Sequence, residues 1–294
     1  VLLILGMLIP FCTVIAKPPT EAGLLAHFIF DEGGYNILRG QGSETVLQDA
    51  SGNGFNGVIH NAKWAKTAGG GALKFARTDS YVDLGTDLSN KLDDEMTIMA
   101  WVKLEAGQYP GVNTNWTIVD CENYKKSGFI VRIDGHNSRL SYRFSRDGVS
   151  HYRTSTITLA NNTFYHIAVT RKGDLAICYI DGATDQQLHA PATGPGKLPL
   201  LVSGRGQSFE GLIDDVKIYE RAFDAKEIAS VYREEVGVHA GARKITTKPR
   251  IRTGPVMSGD GFSLRVGRKG GMQLRVGGDD WHVESSYSYP GTSI

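Results

Sequence analysis

Acidic residues are the natural starting point for chemistry in this chain. Hydrolysis of a glycosidic bond needs two carboxyl groups, one to protonate the leaving oxygen and one to attack or to activate water. Asp31-Glu32, Asp93-Asp94-Glu95 and Glu234-Glu235 are the adjacent acids. Neighbouring side chains on a strand point to opposite faces, so such pairs do not converge there. The expectation is a chain without catalytic residues. His27 and His166 lie in the strand-like runs Leu24–Phe30 and Phe164–Arg171, and both read as hydrogen-bonded packing residues. Ser51-Gly52-Asn53-Gly54 and Gly69-Gly70-Gly71 lack the strand-then-helix setting of a phosphate cradle. Ser145-Arg146-Asp147-Gly148 reads as a hairpin turn.

Binding chemistry is the alternative. A sugar site needs exposed aromatic rings beside polar groups, and the candidates are Tyr109, Trp116, Tyr124, Tyr142 and Tyr152. The net charge is +1 over 294 residues, with no block of like charge. That speaks against a nucleic-acid partner. No Cys-x-x-Cys or Cys/His metal spacing occurs. Export would permit a disulfide between Cys121 and Cys178, and two buried thiols are the alternative.

These residues need elements to position them. Val1–Ala16 is apolar, uncharged and broken by Pro10, and it ends in Val14-Ile15-Ala16. It is shorter than the ~20 residues of a membrane span, and it reads as a cleaved signal segment. The mature chain is then expected to be secreted or held at the cell surface, with no membrane span. A linker over 17–23 leads into short runs of strand character separated by Gly- and Asp-rich turns, the pattern of an all-β sandwich or barrel. Thr97–Leu104 is apolar on both faces, as a central strand should be. Asp224 and Glu227 form a capping box, with Phe223 and Ile228 as the hydrophobic staple. They predict one short helix, Ala225–Glu234, packed on the sandwich edge. The domain is expected over 24–236 and a linker over 237–260. Residues 261–294, with strands at Phe262–Val266, Met272–Val276 and Trp281–Tyr287, read as the start of a truncated second β domain.

Several of these runs occur in the order of one family. They are the Leu24–Glu32 opening, Asp49–Gly57, Gly71–Phe75, Ser80–Gly85, Thr97–Val102 with Trp101, Phe164–Thr170, Cys178–Gly182, and Phe209–Tyr219 before the capped helix. Residues 24–234 thereby resemble the LamG-like, concanavalin A-like jelly-roll family, related to laminin G domains, pentraxins and legume lectins. The resemblance implies two antiparallel sheets packed face to face, with one concave surface. Glucanases on this fold carry Glu-x-Asp-x-x-Glu on one strand, a triplet this chain lacks. Many relatives bind structural calcium where the first and last strands meet. Asp31, Asp49, Asn53 and Asp214 are the residues that would form such a site. Asp49 and Asn53 as caps of a turn are the alternative. The function so implied is a secreted, non-catalytic binding or adhesion module. Its partner would be a glycan, matrix or cell-surface component, and calcium its structural ion. A second reading is an ancillary domain of an extracellular polysaccharide-degrading enzyme whose catalytic part lies beyond Ile294.

Overall fold

The structure is a computed structural model. It describes residues 21–31, 45–76, 79–92, 94–105, 115–123, 126–191 and 198–239, and four strands between residues 257 and 283. The signal-like run 1–16, Tyr109 and Tyr124 lie outside the described residues. The chain divides into two compact units, Val1–Arg243 and Lys244–Ile294.

The first unit holds two antiparallel sheets, with strands numbered in chain order. Sheet A runs β14 (Ala183–His189), β13 (Leu175–Ile180), β12 (Phe164–Lys172), β7 (Glu95–Leu104), β16 (Gly211–Tyr219), β5 (Gly70–Phe75) and β4 (Lys63–Thr67), with β1 (Leu24–Phe28) also paired to β16. Sheet B runs β11 (Val149–Thr158), β10 (Arg139–Arg146), β9 (Ser127–Asp134), β8 (Asn115–Asn123), β15 (Leu201–Ser203), β6 (Tyr81–Asp83), β3 (Gly57–His60) and β2 (Val46–Leu47). A helix, α1, spans Gly85–Ser89, and α2 spans Ala225–His239. No helix among the described residues is long and apolar enough to cross a membrane.

Inward-facing residues of both sheets make one core. Met96, Ile98, Ala100 and Val102 of β7 join Ile118, Val131, Tyr142 and Phe144 from sheet B. The other face of β7 is apolar for a separate reason: α2 lies over it. Met99, Ala168, Tyr179 and Tyr219 form a second cluster with Phe223, Ile228 and Val231. The helix therefore covers the outer face of sheet A rather than the sandwich edge. The capping box forms as the sequence implies. Asp224 Oδ1 accepts from Lys226 N and Glu227 N at 2.8 and 2.9 Å, and Glu227 Oε2 accepts from Asp224 N at 2.9 Å.

The sequence reading missed the short helix α1, the two-residue strand β2 and two polar edge strands. β4 (Lys-Trp-Ala-Lys-Thr) and β14 (Ala-Thr-Asp-Gln-Gln-Leu-His) end sheet A and present mostly exposed or half-buried side chains. Edge strands need not carry an apolar face, so periodicity is silent there. The helix continues five residues past its expected end, to His239. The second unit is a four-stranded antiparallel sheet of β17 (Met257–Gly259), β18 (Phe262–Val266), β19 (Met272–Val276) and β20 (Asp279–Val283). β17 falls within the span expected to be linker, and the last strand starts two residues before the expected Trp281.

Candidate functional site

The open face of sheet B, turned away from the core, carries a cleft of about 620 Å3. It is floored by Asn115, Thr117, Asp120 and Glu122 of β8, with Arg132 of β9 and Arg143 of β10 beside them. Simple alternation would not give this set, because 115 and 117 are odd positions and 120 and 122 are even. The register of β8 on β9 shifts between Thr117 and Val119. Ile118 and Val119 both enter the core at this bulge, and the acids after it emerge on the same face as Thr117.

Glu122 is locked in place. Arg143 Nε donates to its Oε1 at 2.7 Å, and Arg143 Nη2 closes a bidentate pair on Oε2. Ser145 Oγ also donates to Oε1, at 2.6 Å. The carboxylate is 3% and the guanidinium 10% exposed, so the pair is desolvated and rigid. Asp120 differs. Among the described residues its carboxylate accepts only Glu122 N, at 3.0 Å. Burial first, and then the neighbouring Glu122, push its pKa up to about 6. The register puts Arg132 between Thr117 and Ser141, two small hydroxyl residues. Across the cleft, Arg205 donates to Asp83 Oδ2 at 3.1 Å and lies 5.0 Å over the Tyr81 ring.

This cleft bears on two sequence expectations. Asp120-Cys121-Glu122 places two carboxylates on one face by an i, i+2 spacing that the search for adjacent acids passed over. Glu122 has its oxygens committed to Arg143 and Ser145, so the pair does not form a free acid and nucleophile. Of the proposed aromatics, Tyr152 lies opposite Arg143 on β11 and is 65% exposed. Trp116 and Tyr142 are core residues, and Tyr142 Oη donates to Gln186 O at 3.1 Å. Those two are therefore not binding platforms. Cys121 and Cys178 are both free and buried, Cys121 on sheet B and Cys178 on sheet A. Burial pushes the Cys121 thiol up to about 12.

The four residues expected to hold calcium do not converge. Asp49 Oδ1 accepts from His27 N at 3.0 Å and Ser51 N at 2.9 Å, and its Oδ2 accepts from Phe55 N at 3.0 Å. Asn53 Nδ2 donates to Leu24 O and Leu25 O at 3.0 and 2.9 Å. These two residues cap the turn and bind it to β1. Asp31 Oδ1 accepts from Gly71 N at 2.6 Å, and Asp214 Oδ2 lies 3.1 Å from His239 Nδ1. Strands β1 and β16 are neighbours as implied, yet each acid is held by a different group.

Asp214 belongs instead to a cluster under α2. The register of β16 on β7 shifts between Asp214 and Lys217, and Asp215 takes a left-handed φ of 48°. Asp215 Oδ1 receives His27 Nε2 and Lys217 Nζ, both at 2.6 Å. Lys217 Nζ also donates to Glu235 Oε1 at 2.8 Å, and Trp101 Nε1 donates to Glu235 Oε2 at 2.8 Å. The His239 ring stacks on Trp101 at 4.7 Å. Its pKa rises to about 9: burial pulls it down, but Asp214 and Asp215 outweigh burial. Asp215, Glu235 and His239 bring their ligand atoms within 4.8 Å of one another. They do not fit a divalent ion, because the Lys217 ammonium already bridges the two acids and the raised pKa of His239 favours its protonated form over a ligand. A hollow of about 830 Å3 beside α2 is larger than the cleft. Of its charged lining, Lys103 pairs with Glu105 at 2.9 Å, Asp181 accepts from His166 N at 3.0 Å and His239 pairs with the two aspartates, while the exposed Lys66 has no ion pair among the described residues.

A family profile described as concanavalin A-like lectin/glucanases superfamily matches residues 76–229, just over half of the chain. No curated protein matches the sequence. Among solved structures, domain 4 of AbnA is similar, with a TM-score of 0.54 at 17% identity over 71% of this chain and 98% of that one. AbnA is a GH43 extracellular arabinanase from Geobacillus stearothermophilus, and that structure is a complex with arabinotriose. The binding domain of Paraclostridial Mosquitocidal Protein 1 gives 0.60 at 13% identity, over 87% of this chain and 64% of that one. The binding domain of botulinum neurotoxin serotype D gives 0.55 at 13% identity, over 74% and 52%. This chain thus spans between half and two thirds of the two toxin domains. At these identities the likeness is one of fold.

Proposed function

The chain belongs to the concanavalin A-like lectin/glucanases superfamily, and on that premise we propose that its sandwich is a non-catalytic glycan-binding module of an exported protein. The sugar would lie on the open face of sheet B. The observation that carries this reading is the cleft itself: a floor of hydrogen-bonding side chains held on strands, with the exposed Tyr152 on the next strand opposite Arg143. Sugars need fixed donors and acceptors with an aromatic face alongside, and a site held on strands is preorganised for them. Support of a weaker kind comes from the arabinotriose complex of the Geobacillus domain and from the two toxin binding domains, which share the fold. Service as an ancillary domain of a polysaccharide-degrading enzyme is the same binding activity in another setting.

The test is to bind the full chain to an immobilised glycan panel and to follow any hit by calorimetry. A hit weakened by Tyr152→Ala and by Glu122→Gln, with no release of reducing ends on prolonged incubation, supports the reading. Binding that both variants leave intact would move the site elsewhere. Turnover lost in Asp120→Asn would make the cleft catalytic.

A further inference from the structure

Three arginines border the cleft, and only one lacks a carboxylate. Arg143 is spent on Glu122 in a bidentate pair, and Arg205 on Asp83. Arg132 has no ion-pair partner among the described residues, and its Nε is shut off from water without an acceptor. Asp134, two positions along the same strand, has its oxygens taken up by His136 N at 2.9 Å and Asn137 Nδ2 at 3.3 Å. Burial, and then the neighbouring Arg143, disfavour the Arg132 charge, with Glu122 and Asp134 opposing them only in part. A half-desolvated guanidinium beside a second one is an unfavourable arrangement unless an anion joins it. Arg132 is half-buried and lines the cleft, and its neighbours in register, Thr117 and Ser141, are short.

We propose that the cleft takes an acidic sugar, and that Arg132 reads its anionic group. This rests on the glycan-binding reading above and narrows it to a substrate class. A guanidinium presents a planar fork of donors that matches a carboxylate or a sulfate ester. Thr117, opposite Arg132 on β8, also lines the cleft and offers a hydroxyl to share the remaining oxygens. A neutral sugar would leave the outer nitrogens of Arg132 in the cleft without an anion and would forgo this contact.

The experiment measures affinity of the full chain for three probes by calorimetry: a uronic-acid tetrasaccharide, its carboxyl-reduced neutral form, and a sulfated oligosaccharide. At least one acidic probe should bind about ten- to a hundredfold more tightly than the neutral one, the usual worth of a hydrogen bond to a charged group. The two acidic probes separate carboxylate from sulfate as the preferred anion. In Arg132→Gln that preference should disappear, and in Arg132→Lys a part of it should survive, with melting curves confirming that both variants fold. Raised salt should weaken only the acidic probes. Equal affinity of the wild-type chain for acidic and neutral probes overturns the proposal while leaving glycan binding intact. So does a preference retained in folded Arg132→Gln. Absence of binding to any sugar overturns the glycan reading itself.

Discussion

Lys217 Nζ on β16 lies 2.8 Å from Glu235 Oε1 on α2, and the same ammonium sits 2.6 Å from Asp215. One cation therefore neutralises two acids from different elements and ties the last turns of the helix to the sheet. Its side chain is only 12% exposed, so its removal would leave the acids facing each other with little solvent to screen them.

Lys217→Met is expected to destabilise the domain by about 3–5 kcal/mol, the usual result of breaking one side of a buried pair. Glu235→Gln added to Lys217→Met should recover a large share by removing the unpaired charge. Urea midpoints of the wild type and of both variants check this. Equal midpoints for wild type and Lys217→Met would show that the bridge contributes nothing.

His239 should make the docking of the helix depend on pH. Its folded pKa is raised, from 6.5 to about 9. A raised histidine contributes stability that is fully present below its unfolded pKa and is lost as pH rises through the folded one. The window is therefore pH 6.5 to 9. The change across it should be on the order of 1–3 kcal/mol. Melting temperature should fall over that interval in the wild type and stay flatter in His239→Ala. Parallel profiles would rule out His239 as the titrating group.

What the sequence revealed, and what it hid, divides along physical lines. Strands with an apolar face and the Asp224–Glu227 capping box were legible because local chemistry alone specifies them. The bulge at Ile118 left one mark that was passed over, the apolar doublet Ile118-Val119 interrupting the polar and apolar alternation of Thr117–Glu122. The spacing Asp120-x-Glu122 was a usable signal, visible once i, i+2 pairs are sought in place of adjacent ones. His239 gave no signal, because its partners Asp214 and Asp215 come from a strand more than twenty positions earlier. The same blindness produced the calcium expectation: strand adjacency was correct, but it does not say which donor each carboxylate already holds.

Asp49 is expected to act without calcium. Three backbone N–H groups occupy its carboxylate and, against the opposing effect of burial, lower its pKa. Asp49→Ala strands these donors and should cost about 1–3 kcal/mol. That loss should be the same in chelator and in millimolar calcium. A wild-type melting temperature that rises with calcium and loses the response in Asp214→Ala would restore the cation site.

Asp120 offers the sharpest test of the cleft, because stability and binding should move together on changing one atom. Its folded pKa is raised from 3.8 to about 6, chiefly by burial. The native state thus holds this proton more tightly than the unfolded chain does. Ionisation opposes folding above pH 6, and the penalty fades as pH falls from 6 towards 3.8. Asp120→Asn fixes the neutral form in nearly the same shape. At pH 7 the variant should be more stable than the wild type by on the order of 1 kcal/mol after solvent screening is allowed for. The gap should close by pH 4, as the wild-type carboxyl takes up its own proton. The same substitution removes a negative charge from the cleft, so an acidic sugar should bind the variant more tightly at pH 7, while a neutral sugar should show a smaller gain. Wild-type affinity for the acidic sugar should climb as pH drops from 7 to 5, and the Asn variant should lack that rise. Thermal melts and calorimetric titrations at pH 5 and 7 give all four comparisons. A variant that is no more stable at pH 7, and whose affinity still climbs on acidification, would mean that Asp120 is ionised and solvated like any surface carboxylate.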